Sequence, residues 1–122
     1  MIPQAFQKIL VLDDDKIQHI ILKKKLGILM PDAMVNFTLT PNEAFEFLDA
    51  NKVDLIFLDL NLPENGWEFT DLLKKRFVDS KIILVSGSVS AEEFEKANND
   101  QFIHAIYEKP ISDFDLREIF GV

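Results

Sequence analysis

Four short stretches carry side chains that could do chemistry together. Asp13, Asp14 and Asp15 follow the apolar run 9–12, and Asp59 lies inside the apolar run 55–60. Ser86 and Gly87 follow the run 82–85, and Lys109-Pro110 follows 105–107. A charge inside an apolar run is costly without a purpose, which singles out Asp59. Asp13, Asp14 and Asp59 within a few Å would repel one another unless a cation intervenes. A hard divalent cation with oxygen ligands is the natural remedy. Mg²⁺ usually takes one or two carboxylates, keeps several waters and adds phosphate oxygens. Lys109 supplies a further positive charge suited to a carboxylate or phosphoryl oxygen, and Ser86 supplies a hydroxyl.

For these groups to meet, the chain between them must bring the ends of its strands together. Residues 9–12, 35–39, 55–60, 82–85 and 105–107 are apolar and rich in β-branched types, as in strands buried on both faces of a parallel sheet. Between them, spacings of three and four recur. They group Ile17, Ile20 and Ile21; Ala44, Phe47 and Leu48; Phe69, Leu72 and Leu73; and Leu116, Ile119 and Phe120. Each group predicts a helix with one apolar face. Thr40-Pro41 is a helix start, and Ser90 with Glu93 is a capping box that predicts a helix over 91–98. Ser112 or Asp113 caps the last helix, and Asn98-Asn99-Asp100 ends the fourth one early.

Five strand–helix repeats predict an α/β fold, a flavodoxin-like doubly wound five-stranded parallel sheet of order 2-1-3-4-5 with five helices. Ligands of such sheets bind at the carboxyl ends of the strands, where the order reverses between strands 1 and 3. The carboxylates, the hydroxyl and the lysine all fall at such ends.

Composition narrows the choice of function. A chain of 122 residues, 48% of them hydrophobic, suits one domain over 1–122 with a single core. Thirteen Lys and Arg against 21 Asp and Glu give a net charge of -8, which disfavours sequence-independent nucleic-acid binding. The chain has no cysteine, so disulfides, thiolate metal sites and a cysteine nucleophile are excluded. No apolar run approaches the ~20 residues needed to span a bilayer. Residues 1–12 lack the basic start of a secretory signal. The expectation is a soluble, cytoplasmic protein with no nucleic-acid or membrane partner.

Taken together, Leu12-Asp13-Asp14, Leu58-Asp59-Leu60-Asn61-Leu62-Pro63, Val85-Ser86-Gly87 and Lys109-Pro110 resemble the receiver domain of two-component response regulators. The resemblance covers essentially the whole chain, in order and in spacing. It implies that Asp59 is a phosphoacceptor, a carboxylate nucleophile served by a sensor histidine kinase or phosphotransfer protein. It implies that Asp14 binds Mg²⁺ directly and Asp13 mainly through water, with Asp59 and the backbone carbonyl of Asn61 as further ligands. Lys109 and Mg²⁺ would neutralise the phosphoryl oxygens, and Ser86 would hydrogen-bond one of them after transfer. The Lys109-Pro110 bond is expected to be cis. The output would be a reshaped surface of helix 4, strand 5 and helix 5 that meets a downstream protein target. The implied type is a stand-alone receiver, a monomer or a phosphorylation-dependent dimer, and not a multiple-turnover enzyme. The mechanism requires Asp59 to remain within reach of solvent.

The chain departs from the family pattern at three places. Ile106 stands where receivers usually carry an aromatic residue, three positions before the lysine. The loop Pro63-Glu64-Asn65-Gly66 is one residue shorter than the common form. Ser86 stands where Thr is equally common, a neutral difference. Asn61 and Ser88, two beyond the phosphoacceptor and two beyond the hydroxyl, occupy positions that tune the lifetime of the phosphoryl group in receivers. Ile106 and the short loop keep open a receiver-like interaction module that works without phosphorylation. A phosphohydrolase with an Asp nucleophile generally needs a second carboxylate where Asn61 stands. A flavin site would need a Ser/Thr/Gly-rich phosphate cradle that the strand ends lack. His19 and His104 stand alone, with no spacing for a metal or proton relay. Lys23-Lys24-Lys25 and Lys74-Lys75-Arg76 read as solvated helix ends. Most of the eleven phenylalanines read as core, with Phe94, Phe102 and Tyr107 facing a partner.

Overall fold

Leu55-Ile56-Phe57-Leu58 offers no polar face to water, so this run belongs in a sheet covered on both sides. It lies there in the computed structural model, which describes residues 7–63, 66–77 and 79–122. Along the chain run β1 (Lys8–Leu12), α1 (Lys16–Leu29), β2 (Met34–Thr38), α2 (Pro41–Ala50) and β3 (Leu55–Asp59). They are followed by α3 (Gly66–Arg76), β4 (Lys81–Ser86), α4 (Ala91–Asn98), β5 (Ile103–Glu108) and α5 (Asp113–Phe120). The strands form one sheet in the order β2-β1-β3-β4-β5, every neighbouring pair parallel. This is the doubly wound flavodoxin-like order expected from the sequence.

Burial follows position in the sheet. All of β3 is buried, whereas the edge strands β2 and β5 alternate between covered and open residues. Alternate residues of the inner strands feed two cores. Leu10, Ile56 and Leu84 pack under α2, α3 and α4 with Leu48, Leu73 and Ala97. Ile9, Phe57 and Ile83 pack under α1 and α5 with Leu26 and Leu116. Helices α1 and α5 therefore share one face and the other three helices share the opposite one.

Two of the four predicted apolar faces need correction. On α1 the buried residues are Leu22 and Leu26, while Ile17 and Ile20 are 66% and 68% exposed. The helix starts where Asp15 caps it, accepting from Ile17 N at 2.9 Å, and that start turns the isoleucines outward. On α3, Leu72 is exposed beside the buried Phe69 and Leu73. The phenylalanines are also less buried than expected. Phe57, Phe69 and Phe120 lie in the core, but Phe94 and Phe114 are exposed and most of the rest are half-buried. The basic runs are not simply solvated. Lys25 reaches across to the carbonyl of Ile111 and to Asp113, Lys74 pairs with Asp71 and Asp100, and Arg76 pairs with Asp49.

The expected caps are in place. Thr40, Ser90 and Ser112 each accept from the backbone three residues on, and Glu43, Glu93 and Asp115 close the boxes in return. Of the short loop, Glu64 and Asn65 lie outside the described residues. Gly66, which opens α3, lies against Leu60: a Cβ there would sit 2.9 Å from Leu60 Cα and 3.0 Å from its carbonyl oxygen. Both are backbone atoms and cannot rotate away. Gly66→Ala should therefore destabilise the protein by about 1–3 kcal/mol, the usual cost of overpacking. Urea unfolding measures it, and an unchanged midpoint would refute the close approach.

Candidate functional site

The carboxyl ends of β1, β3 and β5 carry Asp13, Asp59 and Lys109. Because β1 and β3 are paired in register, Leu12 beside Leu58, the residues that follow them emerge side by side. Carboxylate oxygens of Asp13, Asp14 and Asp59 lie within 4.8 Å of one another. Asp59 is 2% exposed and Asp13 7%, while Asp14 is open to solvent at the lip. Lys109 spans the two buried acids, with its Nζ 3.1 Å from Asp13 Oδ2 and 3.0 Å from Asp59 Oδ2. The remaining oxygens serve the backbone. Asp13 Oδ1 accepts from Asp15 N at 2.9 Å, and Asp59 Oδ1 accepts from Asn61 N at 2.8 Å.

The near-complete cover over Asp59 departs from the expectation that it is open to solvent. Both of its oxygens are engaged by the protein, Oδ2 by the Lys109 ammonium at 3.0 Å and Oδ1 by Asn61 N at 2.8 Å.

Electrostatics reflect this crowding. Burial raises the pKa of Asp13 above the usual carboxylate value, and the charge of Asp59 adds to it. The backbone N–H of Asp15 and the ammonium of Lys109 offset only part. Burial by itself would lower the pKa of Lys109, but its hydrogen bonds to Asp59 and Asp13 outweigh that and hold it above the ordinary lysine value. One ammonium thus faces two buried acids, with a third at the rim. The donor set suits Mg²⁺: oxygen ligands only, more than one of them anionic, and an open side toward solvent for water. An octahedral ion with ligands at about 2.1 Å holds neighbouring oxygens roughly 3 Å apart. The three carboxylates would draw together to bind it directly, or bind it in part through water.

Ser86 is buried at the end of β4, but its hydroxyl is turned into its own loop and donates to Ser88 O at 2.9 Å. That loop is tied from two sides. Asn61 Oδ1 accepts from Gly87 N at 2.6 Å, and Glu108 Oε1 accepts from Val89 N at 3.0 Å. Lys109 N donates to Ser86 O at 2.8 Å, so β5 holds the same strand end. The Lys109-Pro110 bond is cis. Ile106 is buried behind this loop, while Phe94 on α4 is 53% exposed. Phe102 and Tyr107 are half-buried, and Tyr107 donates to Glu118 at 3.0 Å, so neither ring stands free as expected.

Sequence reasoning missed two features. Glu108 was legible only as the residue before the lysine; its bond to Val89 depends on how the loop turns. His19 read as an isolated histidine, yet it lines the same cavity as Asp13, Asp59 and Lys109. Its place four residues after the N-cap Asp15 was the one available signal, since that spacing returns a side chain to the same side of the helix.

A family model described as the response regulator receiver domain matches residues 9–120. The autoinducer 1 sensor kinase/phosphatase LuxN of Vibrio campbellii is 26% identical over 114 residues, 93% of this chain. The chain spans only 13% of the length of that relative. A two component response regulator from Cytophaga hutchinsonii superposes with a TM-score of 0.86 at 23% identity, over 97% of this chain and 96% of that one. A CheY-like response regulator receiver domain protein from Methanospirillum hungatei gives a TM-score of 0.80 at 25% identity, over 96% and 92%.

The raised pKa of Asp13 fixes the sign of a stability test. The folded protein holds that proton more tightly than the unfolded chain, so Asp13 costs stability above its folded pKa. That cost fades as pH falls toward the ordinary carboxylate value of 3.8. Asp13→Asn should raise the melting temperature at pH 7 without Mg²⁺, by less near pH 4. Mg²⁺ at ten times its Kd should add about 1.4 kcal/mol, or about 5 °C, to the native protein and distinctly less to the variant. A variant that melts lower than the native protein at pH 7 would show that the Lys109 contact outweighs the crowding.

Proposed function

The chain belongs to the response regulator receiver domain family, and from that membership we propose that it is a phosphorylation-dependent switch with Asp59 as phosphoacceptor. The observation that carries this reading is the lysine of β5 bridging the carboxylates of β1 and β3, with Asp14 at the rim. Such an arrangement keeps positive charge where a phosphoryl group would bring more negative charge.

In the proposed reaction an Asp59 carboxylate oxygen attacks the phosphorus of a phosphohistidine on a sensor kinase or phosphotransfer protein. The phosphorus–nitrogen bond breaks, the imidazole leaves, and an acyl phosphate forms. No base is needed. Asp14, Asp13, Asp59 and the carbonyl of Asn61 would hold Mg²⁺, which supplies Lewis-acid neutralisation of the phosphoryl oxygens. Lys109 must leave the Asp59 oxygen it covers and follow the phosphoryl group outward. Ser86 must rotate away from Ser88 O, and its loop must shift, before its hydroxyl can reach a phosphoryl oxygen. Receivers are generally not multiple-turnover enzymes, and Asn61, which cannot transfer a proton, fits that class.

Signal output follows from the same movement. Shifting a two-state balance from 1:99 to 99:1 takes about 5.5 kcal/mol. Two or three charge-assisted hydrogen bonds, at roughly 1.5–3 kcal/mol each, are about enough. The affected surface is that of α4, β5 and α5, where Phe94 is exposed. For the incoming donor, the exposed Ile17, Ile20 and Phe114 offer apolar contacts on the first turns of α1 and α5. A soluble cytoplasmic domain fits a chain in which no helix among the described residues is long and apolar enough to cross a membrane.

The 2% exposure of Asp59 favours a second reading, a receiver-like interaction module that takes no phosphoryl group. Incubation with acetyl phosphate and Mg²⁺, followed by intact mass measurement, separates the two. The switch gains one phosphoryl mass that is lost in Asp59→Asn, and Lys109→Ala accepts it at least tenfold more slowly. No mass gain at saturating Mg²⁺ would establish the module instead.

A further inference from the structure

Helix α1 closes over the inner side of the carboxylate cluster and leaves a cavity of about 30 Å³. Its polar lining comes from Asp13, Gln18, His19, Asp59 and Lys109, and the rest is apolar. About 10–15 Å³ of such volume admits one water, provided that two or more polar groups hold it. His19 supplies one that is unspent: its Nε2 is buried and has no hydrogen-bond partner among the described residues. Orphan polar atoms of this kind are rare in folded proteins, and an ordered water in a polar cavity is one way of satisfying them. Lys109 supplies another. An ammonium has three donors, and Asp13 and Asp59 take two of them.

We infer that an ordered water in this cavity accepts from Lys109 Nζ and donates to His19 Nε2, which makes His19 a positioning residue for the lysine. This rests on the proposed switch for its kinetic consequence only. The imidazole is placed independently of the water. Its ring lies against Phe37 of β2 with centroids 5.1 Å apart, and His19 N donates to Asp15 O in the first turn of α1. With Nε2 as acceptor in this bridge, Nδ1 carries the ring proton. The bridge gives the lysine a third, fixed partner on the side away from solvent. When the ammonium leaves the Asp59 oxygen, it pivots about that partner and does not swing freely.

A crystal structure of the native protein at high resolution tests the bridge itself. An ordered water within hydrogen-bond distance of both His19 Nε2 and Lys109 Nζ is expected; a dry cavity, or a water that misses either atom, overturns the inference. Phosphorylation by acetyl phosphate with Mg²⁺ tests the role. His19→Phe keeps the ring shape and removes the acceptor, and the rate should fall about fivefold, as for one lost hydrogen bond. His19→Gln restores an acceptor and should stay within about twofold of the native rate. Melting temperature and Mg²⁺ affinity should stay unchanged in both. Equal rates in all three proteins, or equal losses in both variants, would rule out positioning through the water. A native protein that takes no phosphoryl group would sink the switch reading, and with it the kinetic role. The bridge would then stand or fall on the crystal structure.

Discussion

One ammonium stands between two buried carboxylates, and the rest of the site is arranged around that shortage of positive charge. Lys109 touches both Asp13 and Asp59, yet two acids and one base leave the cluster anionic even before Asp14 is counted. The protein tolerates this because the backbone helps. N–H groups of Asp15 and Asn61 each take one carboxylate oxygen. Such a cluster is unstable by design in the sense that matters for signalling: a cation, or a rearrangement that brings one, lowers its energy. The sheet makes the cluster unavoidable. Parallel strands in the order β2-β1-β3-β4-β5 end at the same rim, so residues from three distant parts of the sequence arrive together.

The neighbouring loop is held as firmly as the acids are crowded. Asn61, Glu108 and the backbone of Lys109 all bond to the segment that begins at Ser86. All three lie close in sequence to the charged centre: Asn61 two residues after Asp59, Glu108 next to Lys109, and the backbone of Lys109 itself. On the far side, α3 and α4 are joined by Trp67, which bonds to Glu93 at 3.4 Å and lies under the Lys96 ammonium at 4.1 Å. These contacts tie α3 to the start and the middle of α4.

The fold and the acid site were largely legible because they rest on features that a sequence states directly. Uninterrupted apolar runs gave the strands, Ser90 with Glu93 gave the start of α4, and Asp59 announced itself as a charge inside an apolar stretch. What failed depended on phase. Ile17 and Ile20 obey the helical spacing and still face water, because spacing tells which residues share a side but not which side the core is on. Leu72 fails for the same reason. Ser86 was placed at the correct strand end, yet the direction of its hydroxyl is set by the loop carbonyl it meets. The cover over Asp59 was invisible for a different reason. It depends on the fold around the carboxylate, where one oxygen meets the ammonium of a residue fifty positions away.

Strand β5 carries a register shift against β4 between Ile82 and Ile83: Ile82 pairs with Ile103 and Ile83 with Ala105, so His104 is the extra residue on the β5 side. From Ala105 to Glu108 the pairing is regular and delivers the lysine to the rim. The extra residue works as a slack coupling. Changes in chain length before it are absorbed at the far end of the sheet, whereas a single insertion after it would carry Lys109 past the acids.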